Sequence, residues 1–224
     1  MFNKYQKTFR IQTPNIEVSG KMNMYKKDVQ GLLTGKVTIE EKIDGANVAI
    51  IGGTPFEPFR LQKRGSLIDK SEHAQYNRFK EWSMKKWNDL SKIKKGTYIY
   101  GEFMWATHHI YYDSLPDWFI CFDVWDGKRF YNRLEKDDYC REFNLEIVPL
   151  IYNSYIDDIL HLESFVRGHS EYSSNHDREG IVVKNYRKQI RGKIVVPEFV
   201  KELNEDGTHW ISKWDSRKVN KLRS

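Results

Sequence analysis

The 224-residue sequence predicts an α+β fold of mainly antiparallel sheets flanked by helices. Three observations carry that expectation. Short β-rich runs sit close together, as at 37–43 (VTIEEKI) and 47–51 (NVAII). Helical periodicity is confined to a few stretches and does not alternate regularly with the strands, as a parallel α/β sheet would require. Hydrophobic residues make up 39% of the chain and aromatics 14%, enough to fill a core beneath such sheets.

Along the chain, Asp44, Gly45 and Ala46 break the first two strands apart. Residues 59–65 (FRLQKRG) form a third strand ending at Gly65. Ser71 is a candidate cap for a helix running to about Ile93, with Phe79, Trp82, Trp87, Leu90 and Ile93 along an imperfect apolar stripe. Residues 97–103 and 118–126 read as central strands, and Asp126-Gly127 as a hairpin turn. Helices are expected at 134–143 and 156–167, the second opened by Asp157-Asp158 and stopped by Gly168. Residues 179–186 (EGIVVKNY) are a strand rich in β-branched side chains, followed by 193–196 (KIVV), which Pro197 ends. The expected organisation is one domain over 1–202 and a basic C-terminal tail over 203–224.

A net charge of +6 and a pI near 9.1 favour an anionic partner. Two cysteines, Cys121 and Cys140, are too few for a disulfide framework or a Cys-rich zinc site and suit a reducing compartment. No apolar run reaches membrane-spanning length, and "MFNKYQKTFRIQ" lacks the apolar centre of a secretion signal. The expectation is a soluble cytoplasmic protein.

"EEKIDGANVAI", residues 40–50, is the chemically suggestive stretch. A lysine amine is protonated at neutral pH and attacks nothing until burial or neighbouring cations lower its pKa. Lys42, at a strand end followed by a tight turn, is placed where a pocket could do this, and Gly45 would let backbone approach a phosphate. A charged hairpin is the plain alternative.

Six ordered motifs give the stretch its meaning. They are Lys42-Ile43-Asp44-Gly45; Lys63-Arg64-Gly65; Gly101-Glu102-Phe103; Phe122-Asp123; Glu179-Gly180-Ile181-Val182-Val183-Lys184; and Lys193 through Phe199. Together they resemble the covalent nucleotidyltransferase superfamily of DNA ligases, RNA ligases and capping enzymes, over roughly residues 35–202. Asn47, in the pattern K-x-x-G-x-N, and the Pro197-Glu198-Phe199 run resemble the branch of RNA ligases that seals nicks in duplex RNA and includes RNA-editing ligases.

That resemblance implies an adenylyltransferase domain, ATP and Mg2+ as cofactors, and a partner nucleic acid with 3′-hydroxyl and 5′-phosphate ends, a duplex RNA nick in particular. It implies that Lys42 attacks the α-phosphorus of ATP, that AMP passes to a 5′-phosphate, and that a 3′-hydroxyl then displaces it. Lys184 and Lys193 would neutralise phosphate and help depress the pKa of Lys42. Glu179 would hold a magnesium ion. Glu102 would accept from a ribose hydroxyl, Phe122 would stack on adenine, and Glu41 would supply backbone contacts to the base. Arg64 would grip the 5′-phosphate, with Arg60 or Lys63 as alternatives, and Asn47 would bind that end or the AMP phosphate.

Several features depart from the pattern. Asp44 stands where many of these ligases carry His, leaving DNA sealing open. Val195 stands where a second lysine is common in the motif that begins at Lys193, with Arg191, Lys188 or Lys201 as candidate substitutes. Glu179 and Lys184 are five residues apart, an odd offset that simple strand alternation puts on opposite faces. No OB domain is visible, so an accessory domain or protein would be needed to grip a duplex. His108-His109 is expected on a surface or loop. A catalytically silent nucleic-acid-binding module and a GTP-dependent capping enzyme are the competing readings.

Overall fold

The computed structural model describes residues 3–16, 23–68, 73–199 and 219–223. Ser71 as a helix cap, Lys201, and most of the 203–224 tail lie outside the described residues.

Two sheets carry the fold. The first has the order β1 (Phe9–Arg10), β11 (Ile190–Val195), β10 (Gly180–Asn185), β2 (Lys36–Glu41) and β9 (Leu150–Tyr155). The second runs β5 (Ser66–Leu67), β4 (Phe59–Lys63), β3 (Ala46–Gly52), β6 (Tyr98–Phe103), β7 (Phe119–Trp125) and β8 (Glu146–Ile147). Pairing is antiparallel except for β1 with β11 and β7 with β8, so the expected α+β class with mainly antiparallel sheets is what forms.

Strand alternation sorts the side chains. On β2, Val37 and Ile39 enter a core with Ile181 and Val183 of β10 and Leu32 of α1 (Lys26–Leu33). On the other face of the same strands, Glu40 meets Lys184. In the second sheet, Val48 and Ile50 pack with Phe103, Phe119 and the helix α2 (Ala74–Lys85) through Phe79 and Trp82. The opposite face carries Ala49, Ile51, Tyr98 and Tyr100 into a smaller cluster with Phe130.

The helix expected to reach Ile93 breaks at Lys86, whose φ of −99° and ψ of 19° leave the helical region; α3 (Trp87–Leu90) follows. The break turns Trp82 into the core, whereas Trp87 is exposed and lies against Phe59. Helix α4 (Arg133–Glu142) begins in a capping box between Asn132 and Glu135. Helix α5 (Ile159–Ser164) is shorter than predicted and is capped by Asp158, which accepts from the amides of Leu160 and His161. Strands β1, β5, β8 and β9 and helix α1 were not legible in the sequence; most are short, and β9 lacks a clean apolar alternation. Of the segment set apart as a tail, residues 219–223 pack back onto the domain, with the Asn220 side chain donating to the carbonyl of Met104 at 2.6 Å.

Among the described residues, no helix is long and apolar enough to cross a membrane.

Candidate active site

A cavity of about 800 Å³ opens between the two sheets. The first sheet contributes Glu40, Glu41, Lys42, Val182, Lys184 and Lys193, and the second Asn47, Arg64, Glu102 and Phe122. Of the residues proposed from sequence, all but Glu179 line it, and Glu179 touches Lys42 directly.

Lys42 follows the last residue of β2 and is fixed by its amide, which donates to the carbonyl of Gly180 at 3.0 Å. Its Nζ lies 2.5 Å from Oε2 of Glu179. Here the electrostatics differ from the sequence expectation. Burial acts to lower the Lys42 pKa, but the carboxylates of Glu179, Asp44 and Glu102 outweigh it and raise it. Lys193 and Lys42 disfavour each other's charge, but the carboxylates prevail at Lys42. Lys42 is thus held as an ammonium against Glu179.

The odd offset between Glu179 and Lys184 is resolved by where the strand starts. Glu179 precedes β10, and its carbonyl accepts from the amide of Val196. Gly180 passes so close to β11 that an added Cβ would lie 2.0 Å from the carbonyl oxygen of Ile194. Glu179 therefore escapes the alternation that governs Val182 and Lys184. Gly45 has a similar explanation. A Cβ there would meet Met104 Sδ at 2.6 Å and the Phe103 carbonyl oxygen at 3.1 Å, so a side chain at this position would have to displace Met104.

Glu102 faces Asn47 across the β3–β6 pair, with Asn47 Nδ2 3.5 Å from Glu102 Oε1. Its other oxygen is buried without a hydrogen-bond partner. Burial first, then Asp44 and Glu179, push its carboxyl up to about 8, against Lys42 and Asn47. A buried acceptor of this kind suits a hydroxyl donor or a cation brought by a ligand.

Lys184 lines the cavity and is held there by acceptors of the protein itself. Its ammonium donates to Glu40 Oε2 at 2.6 Å, to the Phe122 carbonyl at 2.5 Å and to Asp123 Oδ1 at 3.0 Å, which uses its three hydrogens. It is the centre of a buried network that also holds Lys136 and Arg133 on Glu40 and Arg191 on Asp123. Burial acts to raise the Glu40 pKa, but Lys136, Lys184 and Arg133 bring it down to about 2. Arg191 is thus committed to Asp123, and Val195 is buried in the first core. Lys193, the first residue of the last motif, lines the cavity; burial, then Lys42, Arg10 and Arg64, push it down to about 8 against Glu179. Lys188 sits in the β10–β11 turn, its amide bonded to Asn185.

Arg64 lines the cavity, whereas Lys63 lies over the Tyr76 ring and Arg60 beside Glu57. Glu41 turns its carboxylate away onto Ser170 and the Glu171 amide, leaving its backbone at the cavity. Phe122 presents a half-buried ring that meets Tyr5 edge-on at 5.0 Å.

Two groups at the cavity were not found from sequence. One is the N-terminal segment, where Lys4 to Thr8 line the opening. The Tyr5 hydroxyl donates to Asp123 and accepts from Arg191. The second is His108 and His109, expected on a surface or loop and found in the loop after β6 with both rings toward Asp44.

Among the described residues, no three His, Cys, Asp or Glu side chains gather into a ready-made metal cage. A magnesium ion keeps water and leans on one or two carboxylates and on substrate phosphates; Glu179 and the unpartnered oxygen of Glu102 are side-chain oxygens that could hold one.

Two apposed antiparallel sheets, with a strand-end lysine and its carboxylate partner in the cleft between them, define a nucleotidyltransferase-type domain. The sequence profile of the RNA ligase family matches residues 35–196, and the chain belongs to that family. A comparison with curated proteins returns no match. Among solved structures, the chain is similar to a Naegleria gruberi RNA ligase with pyrophosphate (TM-score 0.65, 14% identity, 91% of this chain and 58% of that one). It is also similar to a lysine-to-alanine variant of that ligase with ATP and Mn (TM-score 0.64, 15% identity, 87% and 61%). A glutamate-to-alanine variant with AMP and Mn gives a TM-score of 0.63 at 14% identity, with 90% and 58% covered. At these identities the likeness is one of fold, and the chain spans less than two thirds of the length of those ligases.

Proposed function

We propose that this protein is an ATP-dependent RNA ligase that joins 3′-hydroxyl and 5′-phosphate ends, with a nick in duplex RNA as its substrate. The observation that carries the reading is the placement of Lys42 at the end of β2, with Glu179, Glu102, Asn47, Lys193 and Arg64 around it in one cavity. Membership of the RNA ligase family and the fold shared with a ligase solved with ATP and Mn support it.

The residues divide the work by charge. Lys42 supplies the nucleophilic nitrogen once it has given up its proton. A magnesium ion bound with ATP would neutralise phosphate charge and compete with Lys42 for Glu179. Lys193 and Arg64 bring cationic donors to the phosphates, and phosphoryl transfer depends on such positioning and charge neutralisation. Phe122 offers an aromatic face for the base, and Glu102 an acceptor for a ribose hydroxyl. Lys184 orders the cavity floor instead of meeting phosphate, since Glu40, Asp123 and the Phe122 carbonyl occupy its donors. Duplex recognition would draw on the positive balance of the chain and on a further domain or partner protein.

The test is intact mass after mixing protein, ATP and magnesium. The chain should gain one AMP, Lys42→Ala should gain none, and GTP should not substitute. Sealing of matched RNA, DNA and hybrid nicks then assigns the substrate. A chain that binds nucleic acid and never takes up AMP would refute the reading.

A further inference from the structure

Arg191 is held on Asp123 and Lys188 sits in the β10–β11 turn, so neither replaces the positive charge that Val195 lacks. Strand β1, which belongs to no motif, brings a cation to the same wall. Register decides its direction. Ile11, just past β1, and Ile194 enter the first core at 2% and 1% exposure. Side chains alternate along a strand, so Arg10 and Lys193 take the opposite face. The two are paired across β1 and β11. The row continues from Lys193 to Val182 of β10 and Glu40 of β2, and these three line the cavity. Thr8, two residues before Arg10, lines it as well. Arg10 therefore stands at the outer end of a row that forms the cavity wall.

The backbone fixes it there. The Ile11 amide donates to the Lys193 carbonyl at 2.8 Å, and the Met24 amide to the Arg10 carbonyl at 2.7 Å. Gly192 lets β1 lie close, since an added Cβ would sit 2.7 Å from Ile11 Cδ1. Among the described residues, Arg10 Nε is buried and has no hydrogen-bond partner. A buried guanidinium nitrogen without an acceptor is costly until a ligand supplies one. Like charges gather beside it. Lys42, Arg10 and Arg64 all disfavour the Lys193 ammonium, and Glu179, which counters them, is paired with Lys42 at 2.5 Å. A cluster of this kind is relieved by a polyanion bound among its members.

We propose that Arg10 is a phosphate-binding residue: with Lys193 and Arg64 it takes the pyrophosphate portion of ATP, supplying from β1 the cation that position 195 does not. The proposal deepens the ligase reading and rests on it for the identity of the anion. A guanidinium suits the task, because its planar fork meets two phosphate oxygens at once and keeps its charge across the neutral range. When the Lys42 amine, its proton given up, bonds to the α-phosphorus, the bond from that phosphorus to the bridging oxygen breaks. The electron pair leaves on pyrophosphate, so negative charge grows on the β-phosphate. A cation fixed beside that phosphate stabilises the charge as it develops. The adenosine end is served by Phe122 and Glu102 on the other sheet, so affinity for AMP does not draw on Arg10.

The test uses the full chain and calorimetric titration with inorganic pyrophosphate, ATP and AMP as separate probes at constant magnesium. Arg10→Gln should weaken pyrophosphate and ATP by about 10-fold or more, the scale of one charge-assisted hydrogen bond, and leave AMP within about twofold. The KM for ATP in AMP uptake should rise by the same factor. Sealing of a nick whose 5′ end already carries AMP should keep the wild-type rate, because that step releases no pyrophosphate. Arg10→Lys should recover part of the loss. Arg10→Met, which keeps an unbranched stem, takes the place of Arg10→Gln if the latter does not fold. A merely structural role for Arg10 would weaken AMP and pyrophosphate alike. That result, or an unchanged pyrophosphate affinity, overturns the proposal. So does a loss confined to AMP transfer onto a 5′-phosphorylated strand, which assigns the cation to the RNA end. A wild type that binds pyrophosphate through Arg10 yet takes up no AMP overturns the ligase reading and leaves the anion site standing.

Discussion

The Nζ of Lys42 and Oε2 of Glu179 lie 2.5 Å apart although 137 residues separate them in the chain. The contact is made possible by β2 and β10 pairing side by side, with Ile181 opposite Glu41. It puts a carboxylate where it favours the ammonium form of Lys42. Glu179→Gln should therefore have opposed effects. Labelling of the Lys42 amine by a small electrophile should become faster, because the carboxylate that stabilises the ammonium is gone. AMP uptake from ATP should fall by about 100-fold or more, the scale of losing one preorganised charged group. Peptide mapping of the label and intact mass measure the two, and a parallel rise in both would remove Glu179 from the reaction.

Nucleotide affinity should weaken on the alkaline side. Lys193, pushed down to about 8, loses its positive charge as the pH rises through that value. Glu102, pushed up to about 8, gains a negative charge over the same window. Both changes disfavour a polyanion, so the Kd for ATP should rise by several-fold, about tenfold at most for each group per pH unit, between pH 7 and 9. Lys193→Arg should flatten part of that rise, and adding Glu102→Gln should remove the remainder. Calorimetric titration across the range is the measurement.

The buried network around Lys184 should dominate acid stability. Glu40 has a pKa of about 2 in the folded protein against 4.5 for the ordinary group. A depressed carboxyl contributes stability that is fully present above its unfolded value and is lost as pH falls through the folded one. Urea denaturation should show a stability loss from about pH 4.5 toward 2. Glu40→Gln should flatten that loss and, at pH 7, destabilise the protein by roughly 3 kcal/mol, because Lys136, Lys184 and Arg133 are left buried with too little negative charge.

Gly180 should be irreplaceable for steric reasons. A methyl group at this position would sit 2.0 Å from the Ile194 carbonyl oxygen, so Gly180→Ala must push β10 from β11 and carry Glu179 with it. A thermal midpoint lower by about 4 °C or more is expected, on the scale of roughly 2–4 °C per kcal/mol for a chain of this size. AMP uptake should fall with it. A wild-type midpoint and rate in that variant would show that the strands accommodate the methyl group.

How much of this was written in the sequence depends on the range over which each feature is decided. The strands expected at 47–51 and 97–103 and the helix expected at 134–143 form as Ala46–Gly52, Tyr98–Phe103 and Arg133–Glu142, because alternation and helical periodicity are local properties. The short strands β1, β5 and β8 were not legible, since two residues carry no period and exist only because a neighbour supplies the hydrogen bonds. Of the three nearby cations, the turn after β4 brings Arg64 to the cavity, which strand alternation alone does not decide.

The sequence by itself determined the fold class, the order of the motifs and the residue types able to work on a phosphate. Tertiary structure decided which carboxylates surround the Lys42 amine, the engagement of Lys184 by Glu40, Asp123 and the Phe122 carbonyl, and the arrival of Tyr5 and His109 at the cavity. The physical reason is that composition and periodicity report which groups a chain carries, whereas pKa and hydrogen bonding depend on distances of a few ångströms between residues far apart along it.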